Sequence, residues 1–233
     1  HIFGNRGVTG TVNTDMTPEF AAKLAAAFAA AVKSRGIIGV CCDGTPAATM
    51  IKSALVSGLL SAGVHVNDYR RLLLPALRSA VRLYRLDGGI YAGVCGEGRH
   101  RLALDFIDNA GRNIDKSTER RVETLFYRDD FGRCEAGCIK GVTEISDFGD
   151  FYLKNIISGI RSEKLGFRIA MRKGPEHVTE AITSLLGETG CSVETVDAGI
   201  LNDMKQFCEF VRKGRFDIGV SIGETCEKML LVD

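Results

Sequence analysis

Apolar runs alternate with amphipathic helical stretches along this chain, and that alternation limits the possible folds more than any other feature. Four runs read as strands: "GIIGVC" (36–41), "VHVNDY" (64–69), "GGIYAGV" (88–94) and "LALDFID" (102–108). Helices are predicted at 17–34, where Thr17 caps and Pro18 takes the first helical position, at 46–62 behind Pro46, and at about 75–86. Strands that are apolar throughout, rather than at alternate positions, are buried on both faces. That is the signature of a mainly parallel sheet covered by helices on each side. The short step from 88–94 to 102–108 is hairpin-like and adds an antiparallel strand.

A helix at 115–127 is followed by a glycine- and charge-rich stretch, "RDDFGRCEAGCIKGVTEISDFGD", and a helix at about 147–161. A second alternation then runs "LGFRIAM", "PEHVTEAITSLLGETG", "CSVETVD", "NDMKQFCEFVRKG", "FDIGVSI". The expected organisation is two α/β domains, 1–145 and 146–233, each a mixed, mainly parallel sheet sandwiched between helices. The chain stops at "MLLVD", in mid-rhythm, and begins at His1 without an initiator methionine. Both points suit a piece of a longer protein.

Composition removes several classes of function. A formal charge of +1 over 233 residues gives no basis for a nucleic-acid surface or a polybasic membrane anchor. No apolar run approaches the roughly 20 residues that span a bilayer, and "HIFGNRG" is no signal peptide. Six of the eight cysteines (Cys41, Cys42, Cys95, Cys191, Cys208 and Cys226) sit at the ends of apolar runs or singly among helices and strands. That pattern fits reduced, buried thiols and a cytoplasmic setting. Cys134 and Cys138 form a close pair without a second pair or nearby histidines, so they do not complete a zinc site. Ser-His-Asp arrangements, Walker loops and dinucleotide fingerprints are not found.

The stretch "GGIYAGVCGEGRHRLALDF" (88–106) carries the chemistry worth testing. Exposed amides at Gly96 and Gly98 can form an anion-binding nest, with Arg99, His100 and Arg101 supplying positive charge. The turn "RKGPEH" (172–177) opens a helix and reads as an ordinary strand-to-helix connection.

Taken in order, these landmarks resemble the first two domains of the α-D-phosphohexomutases, the phosphomannomutase and phosphoglucomutase superfamily. "FGNRGVTGTVNTDMTPEF" is similar to the opening F-G-T-x-G-I-R-G and "LTPE" helix, and "GVCCDGTPAATM" to the G-R-D-x-R strand and following helix. "LLLPALRSAVRLYRLDGGI" is similar to the T-P-x-L helix and "GGI" strand, and "FDIGVSIGETCEKMLLVD" to the D-x-G-x-A-x-D-G-D-x-D-R strand and loop. The resemblance implies a phosphoserine loop, T-A-S-H-N-P, on which Cys95 takes the serine position, with Gly96 and Glu97 at the histidine and asparagine. It places Asp105 at a lysine position and Thr9 at the opening arginine. Cys42 and Thr45 fall on the two arginines of the second motif, and Asp43 matches its aspartate. The Mg²⁺ loop falls on Gly223 to Lys228. Gly223, Thr225 and Glu227 stand at the three aspartates, which leaves Glu227 as the one carboxylate in register.

These substitutions imply a catalytically degenerate module of a longer sugar-phosphate-metabolising protein, with a sugar-1-phosphate nucleotidyltransferase fusion as the expected parent. The mannose-1-phosphate guanylyltransferase-like fusions are one such group. The module is expected to have no cofactor, its Mg²⁺ ligands being largely lost, and to bind hexose phosphate or nucleotide sugar or to pack against a partner domain. By itself the fragment is expected to be inactive, because the resemblance assigns sugar recognition and a phosphate clamp to a third and fourth domain. Two alternatives stand beside this one. One is a divergent phosphohexomutase working through Cys95; the other is a purely structural or oligomerisation module.

Overall fold

In the computed structural model, which describes residues 1–4, 6–33, 36–96, 100–160, 164–197 and 203–233, the alternating runs form two units. The units are His1–Phe148 and Gly149–Asp233. The first is built on seven strands: β1 (Phe3–Gly4), β2 (Gly7–Thr11), β3 (Ile37–Cys42), β4 (His65–Arg71), β5 (Gly88–Val94), β6 (Arg101–Ile107) and β7 (Val142–Glu144). Their order is β1-β2-β6-β5-β3-β4-β7. The pairs β3–β5, β3–β4 and β4–β7 are parallel, while β1–β2, β2–β6 and β5–β6 are antiparallel. The mixed sheet expected from the sequence is therefore present, with its antiparallel portion larger than the single hairpin predicted. "FGNRGVTGT" supplies two strands that sequence patterning does not reveal.

The helices of this unit are α1 (Pro18–Ala31), α2 (Pro46–Ser61), α3 (Leu74–Leu83) and α4 (Lys116–Arg128). Thr17 Oγ1 accepts from Phe20 N at 3.2 Å and Thr45 Oγ1 from Ala48 N at 3.4 Å, each satisfying an amide that the helix start leaves without a partner. Every β3 residue after Ile37 is buried, as its continuous apolar run requires. Ile38, Val40 and Cys42 join Leu24, Phe28, Ile51 and Leu55 in a core beneath α1 and α2. Toward the other face, Gly39 lies against Leu77 and Leu86. Helices α1 and α2 approach so closely that a Cβ at Gly58 would collide with the carbonyl oxygen of Ala22. Gly58→Ala should therefore lower stability by about 1–3 kcal/mol through overpacking, read as a lower urea midpoint with unchanged slope.

The second unit holds β8 (Arg168–Arg172), β9 (Ser192–Val196), β10 (Ile218–Ile222) and β11 (Met229–Val232), in the order β11-β10-β8-β9. Its helices are α6 (Glu176–Glu188) and α7 (Met204–Lys213), preceded by α5 (Phe148–Gly159). Strands β8, β9 and β10 are parallel and β11 is antiparallel to β10. Leu186 packs on a core of Ile169, Cys191 and Val220, while Phe207 and Val211 pack with Ala170 in a second cluster. Phe148 itself is buried in the first unit, with its ring 5.5 Å from Tyr69 and 5.7 Å from Tyr84.

Candidate functional site

The carboxyl ends of β3 and β5 and the start of β6 meet at one end of the first unit's sheet, where open α/β sheets bind ligands. Side chains alternate along each strand. Leu102, Leu104 and Phe106 of β6, Ile90 and Ala92 of β5, and Val8 of β2 all enter the core beneath α1 and α2. Arg101, Asp105, Tyr91, Cys95 and Thr9 therefore belong to the opposite face. The contact of Arg101 Nη2 with Thr9 Oγ1, at 3.4 Å, lies on that face. Cys95 N donates to the Arg101 carbonyl at 2.9 Å, making the two residues cross-strand neighbours at the loop. Asp105 pairs with Tyr91, four residues or about 13 Å along β6 from Arg101.

Behind this face Asp43 ties the elements together. Its carboxylate is 6% exposed and accepts from Val94 N at 2.7 Å, and from Thr45 N and Thr45 Oγ1 at 2.8 Å each. One side chain thus fixes the end of β5, and with it Cys95, to the N-terminus of α2. Beneath α2, Lys52 Nζ lies 2.6 Å from each Asp68 oxygen, with both side chains largely buried. Neither anchor was predicted from the sequence. The available signals were an aspartate two residues before a Thr-Pro helix start and a single lysine on an apolar helix.

Burial sets the titration of the neighbouring groups. It pushes the Cys41 thiol well above the ordinary value and raises that of Cys42, which contacts Thr49 Oγ1 at 3.8 Å. Burial also pushes the Tyr69 hydroxyl up to about 12 and raises that of Tyr91 further. A raised folded-state value means that the stabilisation is complete below the unfolded value near 10 and is lost as pH climbs through the folded value. Phenolate absorbance from these two buried tyrosines should therefore appear together with loss of secondary structure above about pH 10, and not before it.

The structure bears unevenly on the predicted site residues. Cys95 is 7% exposed. Gly96 is exposed with φ of +76°, and among the described residues a Cβ there would meet nothing within 4 Å. Gly98 and Arg99 lie outside the described residues, as does Glu97. His100 is exposed, and its carbonyl accepts from Val12 N at 2.9 Å. Arg101 is exposed and shares the face of Cys95. Gly223, Thr225 and Glu227 lie in the turn joining β10 to β11. Gly223 N donates to the Lys228 carbonyl at 2.8 Å and Cys226 N to the Gly223 carbonyl at 2.9 Å. Glu227 is exposed, and burial pushes the Cys226 thiol up, with the Glu227 charge adding to the effect. The expectation of buried thiols holds for Cys41, Cys42, Cys95 and Cys191, but Cys134, Cys208 and Cys226 are half-buried and Cys138 is exposed. Cys138 ends a single 3-10 turn, Ala136–Cys138, none of whose residues is buried.

Residues 1–133 match a family profile described as phosphoglucomutase/phosphomannomutase, alpha/beta/alpha domain I. The chain belongs to the phosphoglucomutase/phosphomannomutase family. A phosphoglucomutase/phosphomannomutase of Thermococcus kodakarensis is 28% identical over 253 residues, covering 100% of this chain and 55% of that protein. A phosphoglucosamine/phosphogalactosamine mutase of Sulfurisphaera tokodaii is 24% identical, covering 100% of this chain and 54% of its own length. Among solved structures, a phosphoglucomutase/phosphomannomutase family protein of Burkholderia thailandensis superposes with a TM-score of 0.85 at 16% identity. That match covers 99% of this chain and 54% of the other. The chain thus spans about half the length of these relatives and shares the family's α/β fold. No described helix is long and apolar enough to cross a membrane.

Proposed function

We propose that this chain is a sugar-phosphate-binding region of phosphohexomutase type that has lost phosphoryl transfer and serves within a longer polypeptide. The observation that carries this reading is the pair of residues on the front face. Cys95 stands where the resemblance places the phosphoryl-carrying serine, and Asp105, 5% exposed, stands where it places a lysine. Phosphoryl transfer works by positioning and by neutralising charge on the transferred group. A carboxylate at that position does not supply the cation that the resemblance expects there. The turn at 223–228 supports the same reading. Mg²⁺ takes oxygen ligands in near-octahedral geometry, whereas this turn offers Glu224 and Glu227 around a protonated thiol, and the Gly223 carbonyl is engaged by Cys226 N. That donor set does not fit the ion.

The names of the relatives point to hexose and hexosamine phosphates as the ligand class. Fusion to a sugar-1-phosphate nucleotidyltransferase remains our proposal for the parent, in the cytoplasm, with nucleotide sugar as a second ligand class. The decisive assay uses the longest natural polypeptide containing this chain, incubated with hexose and hexosamine 1-phosphates and a catalytic amount of the bisphosphate. No 6-phosphate should form.

One observation favours a second reading, a divergent mutase working through Cys95. Cys95 places a nucleophilic sulfur at the end of β5, tied to β6 by the bond from its N to the Arg101 carbonyl, and a thiol can itself carry a covalent intermediate. In that case Sγ attacks the phosphorus of the sugar bisphosphate, an S–P bond forms as the sugar P–O bond breaks, and the sugar alkoxide takes up a proton. Turnover that disappears on Cys95→Ala would establish this second reading and remove the first.

A further inference from the structure

We propose that Arg101 holds the phosphate of a sugar phosphate on the front face, supplying from β6 the cation that the resemblance expects at position 9 on β2. This rests on the reading that the chain binds sugar phosphate. Arg101 pairs with Thr11, and Thr9 with Ala103, so positions 9 and 101 share a face at one step's diagonal. The Arg101 guanidinium reaches back along that diagonal until Nη2 is 3.4 Å from Thr9 Oγ1. Its tip therefore lies where a side chain longer than threonine would begin. The cation lost from one strand is replaced by one from its neighbour, in nearly the same place.

The surroundings leave the guanidinium able to take an anion. Among the described residues, Thr9 Oγ1 is the only hydrogen-bond partner of its side chain, so most of its five donors remain available. The Asp15 carboxylate, which feels the Arg101 charge, accepts from Thr11 N at 3.0 Å. The bond from Cys95 N to the Arg101 carbonyl fixes the base of the side chain beside the loop. The exposed Thr9 hydroxyl is a second donor beside the guanidinium. A phosphate monoester suits this fork-shaped donor, because guanidinium and phosphate oxygens pair through two parallel bonds.

The test is a calorimetric titration of the 233-residue chain with glucose 1-phosphate, with inorganic phosphate and glucose as separate arms. Arg101→Ala should weaken glucose 1-phosphate binding by about tenfold or more, as expected for a lost charged hydrogen bond, with an unchanged melting curve. In the Arg101→Thr background, adding Thr9→Arg should restore most of the affinity. Wild-type affinity in Arg101→Ala, or failure of the restored arginine to rescue, overturns the assignment to Arg101. No binding of either phosphate by the wild-type chain overturns the sugar-phosphate reading itself, and the assignment falls with it.

Discussion

Asp43→Ala is expected to lose about 3–5 kcal/mol of the first unit's stability, because it strips a charged acceptor from two part-buried amides and a hydroxyl. Val94 N and Thr45 N both depend on this carboxylate, at 2.7 and 2.8 Å, in a site where Asp43 is itself buried. An unsatisfied buried donor costs about 1–3 kcal/mol, and the Thr45 hydroxyl loses its partner as well. The damage is also directional. Val94 immediately precedes Cys95, so the loop should become mobile before the helices loosen. Hydrogen exchange should show Val94 and Cys95 amides exposed in the variant under conditions where α2 stays protected. Asp43→Asn retains an acceptor for one of the bonds and should lose roughly half as much. Equal stability of wild type and Asp43→Ala would show that the clamp does nothing.

Lys52→Ala should be as damaging, by a different route. The lysine sits under α2 with its ammonium 2.6 Å from both oxygens of Asp68. Removing it leaves a largely buried carboxylate without its counter-charge, a change worth about 3–5 kcal/mol. The same physics makes the double replacement instructive. Lys52→Met combined with Asp68→Leu removes both charges, so its destabilisation should be far smaller than that of Lys52→Ala alone. Denaturant unfolding of Lys52→Met, Asp68→Leu and the double variant measures the coupling directly. A double variant as unstable as the sum of the two single ones would mean that the pair is not coupled.

What the sequence revealed, and what it concealed, follows from the range of the interactions involved. Strand β3 was legible because burial on both faces writes itself as the unbroken run "IIGVCC". The start of α2 was legible because capping is local: Thr45 and Pro46 carry the whole signal. Strands β1 and β2 were not, because "FG" and "GVTGT" contain little apolar periodicity and are held by backbone pairing to β6 and to each other. Gly7 illustrates the point. It has φ of +54° and packs against the Leu104 carbonyl, a close approach set by a residue far away in the chain. Strand β7 is an exposed three-residue edge, and its pattern is that of a loop.

The candidate site divides along the same line. Cys95 and Asp105 could be placed by their distance from "GGI". Their sharing a face with Thr9 and Arg101 depends on strand register, which no local pattern states. The Asp43–Val94 bond spans 51 positions, so the sequence shows the aspartate and hides its purpose. The position that the resemblance gives to a lysine was legible as Asp105, whereas the proposed role of Arg101 beside position 9 required the pairing of β2 and β6.

The central claim is that the front face holds a sugar phosphate without exchanging its phosphoryl group, and Cys95 is where that claim is most exposed. The direct measurement is a neutral-pH mass spectrum of the Cys95 peptide, taken after the longest natural polypeptide is incubated with a hexose 1,6-bisphosphate. An unmodified thiol, at concentrations where calorimetry detects bound ligand, is the predicted result. A phosphoryl group on Cys95 that is discharged by added hexose monophosphate would contradict it.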